Sequence, residues 1–158
     1  MNKPMTINRK FPIFVTHDSF SIYKGIKQIK IFIEKSSYGF SAYMEDADLN
    51  YGLFGEGKTV EETIDDFNKS YVGMREHFEK HGKPFEEIQY EFFYDVASFL
   101  DKYCKAFSLA GLERITGVSQ TQLGHYLHGR SKPSKKTIEK IQERVQKFAS
   151  DLIAVKIA

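Results

Sequence analysis

Residues 59–80, TVEETIDDFNKSYVGMREHFEK, carry the clearest structural signal in the chain. Apolar side chains recur there at intervals of four and three residues: Val60, Ile64, Phe67, Tyr71, Met74 and Phe78. This spacing predicts one continuous apolar face along a helix of about five turns. Thr59 and Glu62 form a capping box at its beginning, and Gly82 and Pro84 end it. We expect this helix to pack its apolar face on a sheet formed by the flanking segments.

Short segments with period-two alternation lie on both sides of this helix. Residues 29–34 and 40–45 alternate between two faces, as strands with one covered face do. Tyr51 to Phe54 is predicted as a short third strand, and residues 86–94 as a fourth. The fourth strand places four apolar residues on one face: Ile88, Tyr90, Phe92 and Tyr94. The predicted order is β-β-β-α-β, an antiparallel sheet with a helix packed on one side.

Beyond Asp95 the strand signals stop, and four short helices are predicted. Ser108, Ser119 and Ser134 are suited to cap the last three of them. The apolar stripe of the fourth repeats at intervals of three and four: Ile138, Ile141, Val145, Phe148 and Leu152. The prediction is therefore an α+β protein in three parts. Residues 1–27 are a tail or an extra strand, 28–95 the sheet domain, and 96–158 a small all-α domain.

Composition excludes several classes of protein. Of the 158 residues, 41% are apolar and 28% charged, which is typical of a folded chain of one average or two small domains. No apolar run approaches the roughly 18 residues that a membrane span needs, and no signal-peptide core follows residues 1–10. The single cysteine, Cys104, cannot form an internal disulfide. We expect a cytoplasmic protein without a membrane partner.

The charges are distributed unevenly. Residues 1–95 contain 12 Lys and Arg against 16 Asp and Glu, whereas residues 96–158 contain 11 against 5. A basic module favours a polyanionic partner, because neutralised phosphates release counterions and drive association. The imbalance also fits an ordinary solvated surface. Charge alone therefore indicates two modules with different partners and identifies neither partner.

The basic part contains the pattern of two helices joined by a short turn with glycine, Thr116-Gly117-Val118-Ser119. In such a motif the beginning of the second helix enters the major groove of DNA. Its outward residues are the candidates for base contacts: Gln120, Thr121, Gln122 and His125. The candidates for phosphate contacts flank them: Ser119, Arg130, Lys132, Ser134, Lys135 and Lys136. A four-helix bundle with an inert polar turn is the alternative.

The run from Leu112 to Ile141 resembles the Xre/Cro-type helix-turn-helix of phage-style repressors. The resemblance rests on Gly117-Val118-Ser119, Gln122-Leu123, Gly129, Pro133-Ser134 and Thr137-Ile138. It implies base contacts at Gln120, Thr121 and His125, and phosphate contacts near Ser119 and along residues 130–136. Two positions depart from the family pattern. Glu113 stands where a small alanine is frequent, and Thr116 where an aliphatic residue is usual.

The stretch from Ile29 to Tyr94 resembles the HicB antitoxin family, a truncated RNase H-like sheet with one helix. The residues that carry this resemblance are Tyr38-Gly39-Phe40 and the run Gly57 to Thr63 that opens the long helix. A helix-turn-helix after this domain is one of the arrangements in the family. The resemblance implies a repressor that binds a small basic HicA-type RNase toxin and represses the shared operon. Since one recognition helix reads few base pairs, we expect a homodimer or homotetramer on operator DNA.

Several motifs offer alternatives to DNA binding. Gly52 to Thr59 matches the phosphate-binding pattern G-x-x-x-x-G-K-[ST], which would make the chain a nucleotide-binding enzyme. The acidic turn before it lacks the buried strand that such a loop follows, so we expect no enzyme and no cofactor. Carboxylates at residues 45–48 and 65–66, and the pair His77 and His81, are read as solvated surface rather than metal ligands. A stand-alone DNA-binding regulator without a toxin partner is a further alternative to the antitoxin.

Overall fold

The structure is a computed structural model that describes residues 26–45 and 48–157. The extra strand proposed within residues 1–27 lies outside the described residues, apart from the last two positions. Within these described residues the elements follow in the order β1 (Lys27–Lys35), β2 (Phe40–Met44), β3 (Phe54–Gly57), α1 (Val60–Lys80), β4 (Ile88–Tyr94), α2 (Val96–Tyr103), α3 (Leu109–Thr116), α4 (Gln120–Leu127) and α5 (Lys135–Ala154). None of the helices in this described part has the length and apolar content that spanning a bilayer requires.

The four strands form a mixed sheet in the order β3-β2-β1-β4, in an α+β arrangement. β1 pairs antiparallel with β2 and parallel with β4, so the prediction of a wholly antiparallel sheet was wrong. The reason is the crossover: α1 carries the chain back along the sheet, and β4 therefore enters in the same direction as β1. Alternation of apolar residues reports which face is covered, but it does not report the direction of a strand.

The third strand lies three residues later than predicted, at Phe54–Gly57 instead of Tyr51 to Phe54. Its two glycines face α1 and carry no apolar signal. A Cβ atom on Gly55 would lie 2.6 Å from the backbone nitrogen of Phe67, and one on Gly57 would lie 2.6 Å from that of Thr63. Glycine is therefore required wherever the backbones of β3 and α1 meet this closely.

The predicted long helix is present, and Phe67 lies fully buried at the centre of its apolar face. It packs on the inner face of the sheet against Ile31 and Ile33, which are fully buried. At its beginning the Thr59 hydroxyl accepts a hydrogen bond from the Glu62 amide at 3.1 Å. This first hydrophobic core fills the space between the sheet and the single helix.

A second hydrophobic core joins the four C-terminal helices through Leu100, Leu112, Leu123 and Ile141. α2 follows β4 at once, because Asp95 bonds the Ile33 carbonyl at 2.9 Å through its amide and caps α2 with its carboxylate. The fourth helix was predicted to be short, but α5 has 20 residues. Its apolar stripe continues past the part that the bundle covers.

We predict that Gly55→Ala destabilises the protein by about 3 kcal/mol, the upper end of the usual cost of overpacking. The new Cβ would meet the backbone of α1, which cannot rotate away as a side chain can. Gly52→Ala is the matched control, because a Cβ there meets nothing within 4 Å. Urea unfolding measures both variants, and equal stabilities would contradict the close packing of β3 on α1.

Glu87 ties α1 to the segment before β4 by accepting hydrogen bonds from Tyr71 and Arg75, each at 2.6 Å. The bond from the Tyr71 hydroxyl, with help from Arg75, lowers the pKa of Glu87. A depressed pKa gives stability that is present above the unfolded-state pKa of about 4.3 and lost as the pH falls through the folded-state value. At pH 7 we expect the free energy of unfolding of the wild type to exceed that of Glu87→Gln by under about 1 kcal/mol, because the Arg75–Glu87 pair is half exposed. Urea unfolding from pH 7 to pH 3 should show the two curves converging; a constant difference would contradict this assignment.

Candidate nucleic-acid interface

α3 is an eight-residue helix whose ends are fixed by its own sequence. The Ser108 hydroxyl caps its beginning by accepting a hydrogen bond from the Gly111 amide at 3.1 Å. Leu112, on the inward face of the helix, is buried in the core. Gly117 ends the helix in the left-handed conformation, with φ 67°. A positive φ favours glycine, since a Cβ is crowded in that region. The chain thus turns sharply after Thr116.

The turn between α3 and α4 has three residues and is held from within. Thr116 is fully buried; its hydroxyl donates to the Leu112 carbonyl at 2.7 Å and accepts from the Val118 amide at 3.2 Å. The buried Val118 side chain points into the same core. From α5, the Lys140 ammonium donates to the Gly117 carbonyl at 2.6 Å. The Thr116 hydroxyl thus satisfies a buried amide of the turn, which an aliphatic side chain could not do.

The beginning of α4 is capped by two side chains, and two further side chains anchor its inward face in the core. The Ser119 hydroxyl accepts from the Gln122 amide at 3.3 Å, and the Glu113 carboxylate accepts from the Gln120 amide at 3.1 Å. Leu123 is completely buried and Tyr126 nearly so. These two anchors fix the rotation of α4 about its axis. The Glu113 carboxylate is therefore a second cap on α4.

The residues predicted to contact bases divide into two pairs. Gln120 and Thr121 are exposed at the beginning of α4, whereas Gln122 and His125 are half-buried. The Gln122 side-chain amide donates to the Ser131 hydroxyl at 3.2 Å, which ties α4 to the loop after it. Gln120 and Thr121 thus form the free tip of the helix, and Gln122 is held beside it.

The residues predicted to contact phosphates are all exposed, at the cap of α4, in the loop after it and at the beginning of α5: Ser119, Arg130, Lys132, Ser134, Lys135 and Lys136. Ser119 and Ser134 also cap α4 and α5, so their hydroxyl groups are engaged with backbone amides. Across residues 26–45 and 48–157, none of the four cations lies within ion-pair distance of a carboxylate. The loop and the first turn of α5 therefore present positive charge that the described chain does not neutralise.

The helices are held to the sheet by Lys35 at the end of β1. Its ammonium lies 2.8 Å from the Asp101 carboxylate of α2 and 3.3 Å from the carbonyl of Leu127, the last residue of α4. A cleft of about 700 Å³ separates the end of the sheet from the loop after α4. Near this junction Cys104 is half-buried, and burial, followed by the charge of Asp101, raises the pKa of its thiol. A raised pKa keeps the thiol protonated and makes it a weak nucleophile.

The phosphate-loop match from Gly52 to Thr59 forms a different structure. Residues 54–57 are strand β3, paired antiparallel with β2, and the glycines serve the packing of α1. The Lys58 amide, which a phosphate would need, donates to the Glu62 carboxylate at 2.9 Å. An acidic side chain thus occupies the beginning of α1, where a phosphate-binding loop leaves its amides open.

The candidate metal ligands remain dispersed. Over the described ranges, 26–45 and 48–157, no three His, Cys, Asp or Glu side chains gather as metal ligands would. The His77 and His81 rings lie with their centroids 4.3 Å apart and their planes tilted by 37°, and Nδ1 of His81 lies 2.7 Å from the His77 carbonyl oxygen. Of the acidic turn, Asp46 and the residue after it lie outside the described residues.

No protein-family model, no curated protein and no solved structure matches this chain. The function is therefore inferred from the geometry of α3, the turn and α4. Sequence reasoning missed three contacts that shape this region, those of Glu113, Lys140 and Ser131. Only Glu113 gave a signal, because a carboxylate seven residues before the first residue of α4 departs from the repressor pattern.

We predict that Thr116→Val destabilises the protein by about 1–3 kcal/mol, although the two side chains have nearly the same shape. Valine removes the hydroxyl and leaves the buried Val118 amide without an acceptor. Thr121→Val, on the exposed tip, is the matched control and should change stability by less than about 0.5 kcal/mol. Thermal or urea unfolding compares the two, and a neutral Thr116→Val would show that the hydroxyl does not hold the turn.

Proposed function

We propose that this chain binds specific DNA sequences through a helix-turn-helix made of α3, the turn and α4. One observation carries the proposal: α4 buries Leu123 and Tyr126 and leaves Gln120 and Thr121 exposed at its capped beginning. A glutamine amide can pair with two atoms of an adenine edge, and threonine offers a hydrogen bond or a methyl contact. The beginning of α4 is therefore the part that enters the major groove.

The charge around the tip supports the same proposal. Arg130, Lys132, Lys135 and Lys136 lie in the loop and the first turn beside α4, without carboxylate partners among the described residues. Cations placed around a recognition helix contact phosphates and fix its register on the duplex.

We further propose that the protein acts as a repressor and as the antitoxin of a HicAB-type pair. The support is the resemblance of residues 29–94 to HicB antitoxins, together with the excess of acidic residues in this half of the chain. An acidic surface attracts a small basic toxin and speeds its association. The test begins with a neighbouring gene that encodes a small basic protein. Expression of that protein alone should be toxic, and co-expression of this chain should relieve the toxicity. Without such a protein, the chain is a stand-alone regulator.

The DNA-binding proposal is tested by selecting ligands for the full chain from a random duplex library. We expect an enriched motif, and Gln120→Ala should lose about 1–3 kcal/mol of discrimination at one base of it. Gln120→Ala should retain non-specific binding, because the phosphate contacts are unchanged. Absence of a motif, or unchanged preference after Gln120→Ala, would contradict the proposed role of α4.

The phosphate contacts give a separate prediction, measured by fluorescence anisotropy at several salt concentrations. Lys135→Ala and Lys136→Ala should each weaken binding to all sequences and reduce the slope of log affinity against log salt by about 1. Lys69→Ala and Lys80→Ala remove exposed charges from α1 and are the matched controls. If all four variants reduced the slope equally, net charge rather than the surface beside α4 would drive binding.

A further inference from the structure

The outer face of the sheet, opposite α1, carries a row of aromatic side chains. In register across the four strands lie Phe54, Tyr43, Phe32 and Phe93. The ring of Phe32 lies 5.9 Å from each of its neighbours, Tyr43 and Phe93. Phe54 and Phe93, at the two ends of the row, remain 49% and 38% exposed. We call these four residues the aromatic row.

Acidic side chains border the aromatic row on both sides. On one side lie Glu34 and Glu56, and on the other Glu45 and Glu91, with Lys30 as the one cation between them. Glu34 also accepts a hydrogen bond from the Tyr43 hydroxyl at 2.8 Å. The outer face is thus an apolar stripe within a negatively charged surround. This charge disfavours a nucleic acid and favours a partner that is apolar and basic.

The segment at the end of α5 is apolar as well, but its charge is opposite to that of the outer face of the sheet. Beyond the part of α5 that the bundle covers, large apolar side chains are exposed: Leu152, Ile153, Val155 and Ile157. Ile153 is 77% and Ile157 95% exposed, which is unusual for side chains this apolar. Residues 152–157 contain one cation, Lys156, and no acidic residue. We call residues 152–157 the apolar tail.

These two surfaces are complementary, and within one chain neither covers the other. The aromatic row spans about 14 Å across four strands. The apolar tail, helical as far as Ala154 and extended beyond, also spans about 14 Å. Between two copies, like charges disfavour a contact between two apolar tails or between two aromatic rows. Opposite charges favour a contact between the apolar tail of one copy and the aromatic row of the other.

We propose that a second copy of this chain places its apolar tail on the aromatic row, and that the exchange is reciprocal. A two-fold dimer then contains two identical interfaces, and each covers the exposed phenylalanines of one copy with the isoleucines of the other. The proposal uses none of the residues proposed to contact DNA, so it stands or falls independently of DNA binding.

Two double variants of the full chain test the exchange by sedimentation equilibrium. Ile153→Ser with Val155→Ser alters only the tail, and Phe54→Ser with Phe93→Ser alters only the row. Each should weaken dimerisation about tenfold or more, because each removes apolar contacts from both interfaces. Val72→Ser, a half-exposed apolar position on α1, is the matched control and should leave the dimer unchanged.

The decisive measurement mixes the two double variants. In a mixed dimer, the intact tail of the row variant meets the intact row of the tail variant, so association should recover to an intermediate level. This recovery also shows that both variants are folded. A wild-type chain that stays monomeric at about 100 μM overturns the proposal. So does weakening by only one of the two double variants, or a mixture that associates no better than its components.

Discussion

One helix can cover only one face of a four-stranded sheet, and this constraint shapes the first half of the molecule. α1 takes the inner face, where Ile31 and Ile33 are fully buried beneath it. To cover the short strand β3 as well, its backbone must approach closely, and Gly55 and Gly57 permit that approach. Among the described residues no second helix lies on the outer face, and Phe54 and Phe93 at the ends of the aromatic row remain partly exposed.

The second half of the molecule depends on a turn that is stabilised from inside. Thr116 satisfies its own helix and the turn with one hydroxyl, and Gly117 supplies the left-handed backbone conformation. Because the turn is fixed, the rotation of α4 is fixed with it. Gln120 and Thr121 face outward for the same reason that Leu123 faces inward. The candidate recognition surface is therefore a consequence of packing: the burial of the inward side chains of α4 is enough to expose Gln120 and Thr121.

Much of this could be predicted from the sequence, because local periodicity and capping residues report local structure. The apolar stripe of α1 and the capping serines of α3, α4 and α5 all lie where the pattern places them. The direction of β4 could not be predicted, since alternation is identical in parallel and antiparallel strands. Nor could the position of β3, whose inward residues are glycines and give no apolar signal.

The candidate site was only partly predictable for a related reason. Exposure of Gln120 follows from helical spacing, but the hydrogen bond of Gln122 to Ser131 joins residues nine positions apart across a loop. Likewise, Lys140 reaches Gly117 from another helix, 23 positions along the chain. Such contacts depend on how helices pack against each other, which periodicity does not specify. The pattern therefore predicts which residues face outward, while packing decides which of them are free.

The length of α5 connects the two proposals. Its beginning, at Lys135, lies near the candidate recognition surface, because Lys140 bonds the turn between α3 and α4. Its end, Ala154, lies 19 residues later, about 29 Å away along the helix axis. A contact with DNA and a contact with a second copy would therefore occupy opposite ends of one rigid element without competing. In the proposed function one α4 would read only a few base pairs, so specific binding would require two copies at a fixed separation. A helix that contacts DNA at one end and a second copy at the other is a direct way to fix that separation.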